Sequence, residues 1–236
     1  MKIKREISGF YKIDHELHDF IFKVKELVFN ILFLCKNYKN IEFVRPADQI
    51  KKEYLQELKK LNELIMKKRH GLKYPDNWAV SKTTGFVLYT LIRTLKPRTI
   101  LETGVANGYS TRLILSALNR NKIGRLISVE VNKNIGGLLE GIDKTRWRLY
   151  VGKPRKNLKD AIKKINKIDV FIHDSDHSYE NMTFEFNIVL EKMAGHGIIM
   201  SDDISGNEAF LDFARKLNKK PEIFPSIKKA FGVIRL

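Results

Sequence analysis

The chain has 236 residues, of which 43% are hydrophobic and 10% are aromatic. This composition supports a sizeable buried core and excludes an intrinsically disordered protein. The 44 basic and 27 acidic side chains leave a net charge of +17, which favours an anionic partner or substrate. The single cysteine, Cys35, excludes an internal disulfide framework and indicates a reducing compartment.

Residues 1–75 predict a helical N-terminal extension. Residues 14–38 are rich in Phe, Leu, Ile and Val at helical spacing. After Pro46, apolar side chains recur with the period of a helix, at Ile50, Tyr54, Leu58, Leu61 and Ile65. We expect this stripe to pack against the main domain or against a second copy of the chain in a homo-oligomer, and a substrate lid is the alternative.

The same extension holds the most apolar run, Leu27–Cys35. It is too short for a membrane span, which takes about 20 residues. Acidic side chains between Glu6 and Asp19 precede it and no small-residue cleavage site follows, so a signal peptide is not predicted. We expect a cytoplasmic protein without a membrane span.

Residues 76–236 alternate between short apolar runs and helical patterns, and we expect them to form the main domain. The runs predict strands at Thr99–Leu101, Leu126–Val129, Trp147–Val151, Val170–Ile172, Ile198–Met200 and Phe231–Ile234. The helical patterns lie at Ser110–Leu118, Arg155–Ile165, Ser178–Leu190 and Ala209–Leu217. This alternation predicts an α/β fold with a mostly parallel sheet, in which ligands bind at the carboxyl ends of the strands.

The basic charge is concentrated within this domain. Lys144 to Lys167 contains ten basic residues and one acid, Asp160, a net charge of +9. Basic side chains on a solvated helix face are the simpler interpretation, and an edge that binds an anionic partner such as nucleic acid is the alternative. No RNP-type aromatic motif or zinc-ligand spacing accompanies the charge, so nucleic acid is possible but not favoured.

A glycine-containing turn follows the first predicted strand, in Glu102-Thr103-Gly104-Val105-Ala106-Asn107-Gly108-Tyr109-Ser110. Gly104 and Gly108 permit a tight backbone turn and a close approach to a ligand. Ala106 and Tyr109 stand where the dinucleotide fingerprint has glycines, which argues against a bound pyrophosphate. Glu130 ends the second strand, where acids of nucleoside-binding folds accept hydrogen bonds from ribose hydroxyls.

Ionisable side chains follow the fourth and fifth strands, namely Asp174, Asp176, His177, Asp202 and Asp203. Carboxylates at neighbouring strand ends repel one another unless a cation binds among them or their pKa values move apart. Oxygen ligands suit a hard divalent ion such as Mg²⁺. The alternative is that individual acids cap the helices that follow them.

Together these motifs resemble the class I S-adenosylmethionine-dependent methyltransferases. Within them the chain is most similar to a small O-methyltransferase-like branch whose fourth strand ends in Asp-x-Asp-His-Ser-Tyr-Glu, here Asp174-Ser175-Asp176-His177-Ser178-Tyr179-Glu180. The resemblance covers residues 81–236. It implies a Rossmann-like, seven-stranded, mostly parallel sheet with helices on both faces, and S-adenosyl-L-methionine as cofactor.

The resemblance also implies roles for individual residues. The expected cofactor-binding residues are Ser81, Glu102, Gly104, Ala106, Gly108, Ser110, Glu130 and Asp174. A divalent cation such as Mg²⁺ is expected on Asp174, Asp202 and Asp203. The expected catalytic base is His177, with Asp176 as the alternative, since an imidazole titrates near neutral pH.

We therefore expect a methyltransferase that methylates a hydroxyl of a small molecule, of sugar or phenolic type, with help from a metal. The first alternative is an RNA methyltransferase that uses the basic stretch 144–167. The second is a cofactor-binding module without transferase activity, whose N-terminal helices bind a partner protein. A nicotinamide-dependent oxidoreductase fits the turn least well.

Overall fold

The computed structural model describes residues 47–75, 78–225 and 229–236, and all of these belong to one compact unit. The helical pattern predicted over residues 14–38 lies outside the described residues, as does the rest of residues 1–46. No helix of the described ranges combines the length and the apolar character that crossing a membrane requires.

Seven strands form a single sheet within these residues. They are β1 (Thr99–Thr103), β2 (Arg125–Glu130), β3 (Trp147–Val151), β4 (Ile168–His173), β5 (Met193–Ser201), β6 (Glu222–Pro225) and β7 (Ala230–Arg235). Their order across the sheet is β3-β2-β1-β4-β5-β7-β6. Strands β1 to β5 pair in parallel, and β7 runs antiparallel to both of its neighbours. The predicted Rossmann-like, mostly parallel sheet is confirmed, and β6 is the strand that the apolar runs did not reveal.

Six α-helices accompany the sheet in the described residues. They are α1 (Asp48–Lys68), α2 (Lys82–Leu95), α3 (Tyr109–Asn121), α4 (Lys156–Lys163), α5 (Tyr179–Leu190) and α6 (Ala209–Lys216). Helices α1, α2 and α3 pack against one another, and α5 packs against both α4 and α6. The sequence patterns missed α2, because buried threonines such as Thr83 and Thr90 interrupt its apolar face.

Aromatic side chains form the core between the sheet and helices α5 and α6. Phe186 of α5 lies at the centre, with its ring 6.4 Å from that of Phe171 in β4. Phe210 and Phe213 of α6 lie 6.0 and 5.1 Å from the same ring. This packing fixes the end of β4, because Phe171 is two residues from the strand's last residue, His173.

Helix α1, which the sequence assigns to the N-terminal extension, docks on α2 and α3. Tyr54 and Leu61 of its apolar stripe are buried, and the Tyr54 hydroxyl donates to the Lys82 carbonyl oxygen at 2.8 Å. The Arg112 guanidinium of α3 donates to the Glu57 carboxylate at 2.8 Å, and both side chains are buried. The extension's second helix therefore packs against the main domain.

We expect Glu57→Gln to lower the free energy of unfolding by about 3 kcal/mol, because it leaves the Arg112 charge buried without its carboxylate. Glu63→Gln is the matched control, since Glu63 is an exposed glutamate of the same helix. Urea unfolding of the two variants measures the difference. Equal stabilities would show that the ion pair does not hold α1 in place.

Candidate active site

The carboxyl ends of β1, β4 and β5 are joined by a ladder of backbone hydrogen bonds. The Asp174 N–H donates to the Thr103 carbonyl oxygen at 3.0 Å, and the Asp202 N–H donates to the His173 carbonyl oxygen at 3.0 Å. The first residues after β4 and β5 are therefore held beside the turn that follows β1. The predicted cofactor turn and the predicted acids belong to one edge of the sheet.

Gly104 is where the turn and the acids come into direct contact. Its φ is +85°, and a Cβ atom there would lie 1.9 Å from the Asp174 carbonyl oxygen. A side chain would also meet the Cα atom of Ser175 at 3.1 Å. The protein's own backbone thus fills the space that the sequence interpretation reserved for a ligand, and glycine is needed so that the ends of β1 and β4 can approach.

Glu130 fixes the rest of the turn with its carboxylate. Oε2 accepts the N–H groups of Val105 and Ala106 at 3.0 and 3.2 Å. Oε1 accepts the N–H groups of Val131 and Asn132 at 2.6 and 3.1 Å. Ala106 has a φ of +44°, so these bonds hold the turn in a conformation that a non-glycine residue rarely adopts.

Glu102 lies underneath the turn and is fully buried. It accepts hydrogen bonds from the hydroxyls of Ser110, Thr111 and Ser128 at 2.7, 2.9 and 2.7 Å. Burial raises the pKa of Glu102 to about 7, and the three hydroxyl donors oppose that rise. Glu102 therefore ties the start of α3 to β1 and β2, and Ser110 turns inward to this network.

Tyr74, in the segment before α2, is hydrogen-bonded to Asn107 of the turn. The Tyr74 N–H donates to the Asn107 amide oxygen at 3.3 Å, and the Asn107 amide donates to the Tyr74 carbonyl oxygen at 2.8 Å. Burial and the Glu130 charge raise the pKa of the Tyr74 hydroxyl. Ser81 caps α2 by accepting from the Thr84 N–H at 3.0 Å. Tyr74 could not be predicted as a site residue, because a single aromatic residue in a loop has no periodicity.

Asp174, His177 and Asp202 converge on the other side of the turn, with one ligand atom of each within 4.8 Å of the others. His177 Nε2 and Asp202 Oδ1 are buried and have no hydrogen-bond partner in the described part of the chain. Burial and the charge of Asp202 raise the pKa of Asp174 well above its usual range. Burial also lowers the pKa of His177 to about 4, so its imidazole is neutral at pH 7.

Asp203 and Asp176 lie beside this trio with different contacts. Asp203 has a φ of +46°, and its carboxylate accepts the Ser205 hydroxyl at 3.1 Å. Asp176 accepts the N–H and the hydroxyl of Ser178 at 3.1 and 3.0 Å, just before α5. The N-cap of α5 is Ser178, whose hydroxyl oxygen accepts the Asn181 N–H at 3.3 Å, and Asp176 holds Ser178 rather than capping the helix itself.

The buried side chains of His173 and Glu185 lie beside the trio of Asp174, His177 and Asp202. His173 Nδ1 lies 2.8 Å from Glu185 Oε2 of α5, and the same oxygen accepts the Thr103 hydroxyl at 2.6 Å. Oε1 of Glu185 accepts the Ser175 hydroxyl at 2.8 Å. The His173 and His177 rings meet edge to face, with centroids 5.2 Å apart. The sequence analysis missed Glu185, because an acid in a helical pattern reads as a solvated residue.

Lys229 is a third residue of the site that the sequence patterns do not predict, after Tyr74 and Glu185. Its Nζ atom donates to Asp202 Oδ2 at 3.0 Å, and its side chain is 20% exposed. A lysine between two apolar strands carries no motif, and only the pairing of β7 with β5 reveals its position.

The basic stretch 144–167 lies away from the acids, although its β3 ends beside Glu130, whose carbonyl oxygen accepts the Gly152 N–H at 3.0 Å. It contains β3, which is separated from β4 by β2 and β1. Several of its cations have partners in the protein: Lys156 pairs with Asp160 at 2.6 Å, and Arg155 lies over the Phe184 ring at 5.0 Å from its centroid. These contacts are typical of a solvated protein face.

Comparison with known families agrees with this architecture. Residues 101–204 match the model of a methyltransferase domain. The match begins in β1 and ends just after β5, so it contains the turn, Glu130 and the acids. No curated protein matches the chain.

Solved structures share the fold at low sequence identity. The O-methyltransferase TomG from Streptomyces achromogenes, in complex with SAM, has a TM-score of 0.60 and 18% identity over 84% of this chain and 94% of its own. An O-methyltransferase from Bacillus cereus, in complex with SAH, has a TM-score of 0.58 and 18% identity over 86% of this chain and 97% of its own. The Podospora anserina methyltransferase PaMTH1, bound to SAH, has a TM-score of 0.56 and 17% identity over 75% and 87%.

We expect Gly104→Ala to destabilise the protein by at least about 2 kcal/mol, because a Cβ atom would push the end of β1 away from that of β4. Gly141→Ala is the matched control: its φ is +69°, and no atom lies within 4 Å of the added Cβ. Urea unfolding compares the two variants. If they lose equal stability, the positive φ accounts for the whole effect and the contact with Asp174 does not.

Proposed function

We propose that the chain is an S-adenosylmethionine-dependent O-methyltransferase acting on a hydroxyl of a small molecule with a divalent cation, since residues 101–204 match the model of a methyltransferase domain. The observation that carries the proposal is the position of His177 Nε2 and Asp202 Oδ1. Both atoms are buried and unpartnered among the described residues, and both belong to the trio beside the turn. A buried polar atom without a partner is costly, so such atoms commonly meet a ligand.

The turn after β1 is the proposed cofactor site. Gly104, Ala106 and Gly108 provide backbone for the methionine and ribose parts of the cofactor, and Ser110 and Glu102 hold that backbone from below. Glu130 lies where ribose hydroxyls are bound in this fold. Each of its carboxylate oxygens already accepts two N–H groups, so a ribose hydroxyl would share an oxygen with them. Ser81, at the start of α2, and Asp174, directly after β4, are the remaining residues proposed to line the cofactor site.

When bound, the cofactor supplies an electrophilic methyl group on a sulfonium. The residues of the turn position it, and a fixed position for donor and acceptor supplies much of the rate of such a transfer. The TomG and Bacillus cereus structures bear the names of O-methyltransferases with SAM or SAH bound, which favours an oxygen acceptor here.

Asp174, Asp202 and Asp203 are the proposed ligands of the cation. Asp202 Oδ1 is the strongest element of this fit, because its carboxylate is 2% exposed and this oxygen has no partner among the described residues. A divalent cation supplies a Lewis acid that lowers the pKa of a hydroxyl beside it. Its positive charge also offsets the repulsion among the carboxylates, which the raised pKa of Asp174 reflects.

His177 is the proposed proton acceptor. Its Nε2 atom lies 3.9 Å from Asp174 Oδ1 and is neutral at pH 7. Because a pKa of about 4 makes it a weak base, it would take the proton from a hydroxyl at Asp174 and Asp202 whose own pKa a bound cation lowers. The same geometry fits a second assignment, in which Nε2 is itself a metal ligand in place of the Asp203 carboxylate.

We expect His177→Gln to lower the rate of methyl transfer by about 10²–10⁴-fold, because no other group accepts the proton as well. Its affinity for Mn²⁺ should stay within about twofold of the native value, since the carboxylates remain. His196→Gln is the matched control, because His196 is an exposed histidine of β5.

Two assays decide this prediction. Transfer of radiolabelled methyl from S-adenosylmethionine to panels of phenols, sugars and RNA, with Mg²⁺ or with chelator, measures activity. Titration with Mn²⁺ measures metal binding. A loss of Mn²⁺ affinity in His177→Gln would make His177 a ligand rather than the base. Transfer to RNA alone would contradict a small-molecule acceptor.

A further inference from the structure

Lys229 carries a positive charge into the acid cluster of the active site. Its Nζ atom lies 3.0 Å from Asp202 Oδ2, and the Asp202 carboxylate is 2% exposed. The bond uses one oxygen of Asp202 and leaves Oδ1 unpartnered in the described part of the chain. The ammonium group of Lys229 therefore lies against the acid cluster, and the lysine side chain is mostly buried.

The reversed direction of β7 places Lys229 there. Strands β1 to β5 end at the active-site edge, whereas β7 begins at that edge because it is antiparallel to β5. Gly232 pairs with Ser201, so the residues before Gly232 extend beyond the end of β5. The Ile204 N–H donates to the Ala230 carbonyl oxygen at 2.9 Å, which fixes the backbone next to Lys229 against the loop that carries Asp202.

The charge of Lys229 acts on the whole cluster. Burial opposes the charged form, yet the carboxylates of Asp202, Asp174 and Asp203 raise the pKa of Lys229 above its usual value. In return, the ammonium group lowers the pKa values of Asp174 and Asp202, which burial raises. The positive charge of Lys229 thus offsets part of the repulsion among these carboxylates, as the charge of a metal ion would.

We propose that Lys229 is an internal counter-ion that competes with the divalent cation for the carboxylates of the active site. The inference rests on the metal site of the proposed function. An ammonium group on Oδ2 and a divalent cation on Oδ1 of the same carboxylate repel each other at close range. Metal binding therefore requires that Lys229 withdraw or that the repulsion be overcome, and Lys229 sets the metal affinity of the site.

Mn²⁺ titration followed by electron paramagnetic resonance tests this inference on the full chain. We expect Lys229→Met to bind Mn²⁺ about 10- to 100-fold more tightly than the native protein, because a like charge beside the metal has been removed. Lys229→Arg keeps the charge and should bind within about threefold of native. Lys220→Met is the matched control, since Lys220 is an exposed lysine of the segment before β6.

Thermal unfolding gives a second readout without activity. In the absence of metal, Lys229→Met should unfold at a lower temperature than the native protein, because the carboxylates lose their counter-ion. Mn²⁺ should raise its unfolding temperature more than that of the native protein. A folded Lys229→Met that binds Mn²⁺ with unchanged or weaker affinity would overturn the inference, since Lys229 would then merely orient Asp202.

Two further measurements separate this inference from the proposed function. Asp202→Asn should abolish Mn²⁺ binding, and if it does not, the proposed metal site is wrong along with the role of Lys229. If neither the native protein nor Lys229→Met binds Mn²⁺, both are contradicted as well. Calorimetry with S-adenosylhomocysteine reports on the cofactor site alone. If the native protein does not bind this ligand, the proposed function is contradicted, but the competition between Lys229 and the metal ion is not.

Discussion

The close approach of Gly104 to the Asp174 carbonyl oxygen is the constraint on which the proposed active site depends. A Cβ atom at Gly104 would lie 1.9 Å from that oxygen, so the ends of β1 and β4 meet with no side chain between them. One strand end carries the turn that forms the proposed cofactor site, and the other carries the acids. Because the two are in backbone contact, a ligand on the turn and a cation on the acids share a single space.

Buried hydrogen bonds then fix each half separately. Glu130 holds the turn through two of its backbone N–H groups and accepts two more from the residues after β2. Glu102 holds the start of α3 and β2 through three hydroxyls. Glu185 holds His173 and Ser175 below the acids. These carboxylates have their partners within the protein, whereas Asp202 Oδ1 and His177 Nε2 do not have them in the described ranges. His173 Nε2, next to the His177 ring, is likewise buried without a partner in those ranges.

The sequence predicted those features that depend on local pattern. Apart from β6 and α2, the order of strands and helices follows from apolar periodicity, and the turn at Gly104 and the acids after β4 and β5 follow from the residues at strand ends. Lys229, Glu185 and Tyr74 could not be predicted, because each reaches the site through a pairing of distant segments. The sequence also could not show that the space beside Gly104 belongs to Asp174. That contact is a property of how β1 and β4 pack, not of the turn itself.

We propose that the turn after β1 and the acid cluster serve one reaction centre. The most direct test is the nuclear relaxation of S-[methyl-¹³C]adenosylmethionine bound to the protein as Mn²⁺ is added, since a paramagnetic ion relaxes a nucleus only at short range. The account predicts strong relaxation of the methyl carbon in the native protein. It also predicts that Asp202→Asn removes this effect while the cofactor stays bound. Unchanged relaxation of the methyl carbon, with both Mn²⁺ and cofactor bound to the native protein, would contradict the account.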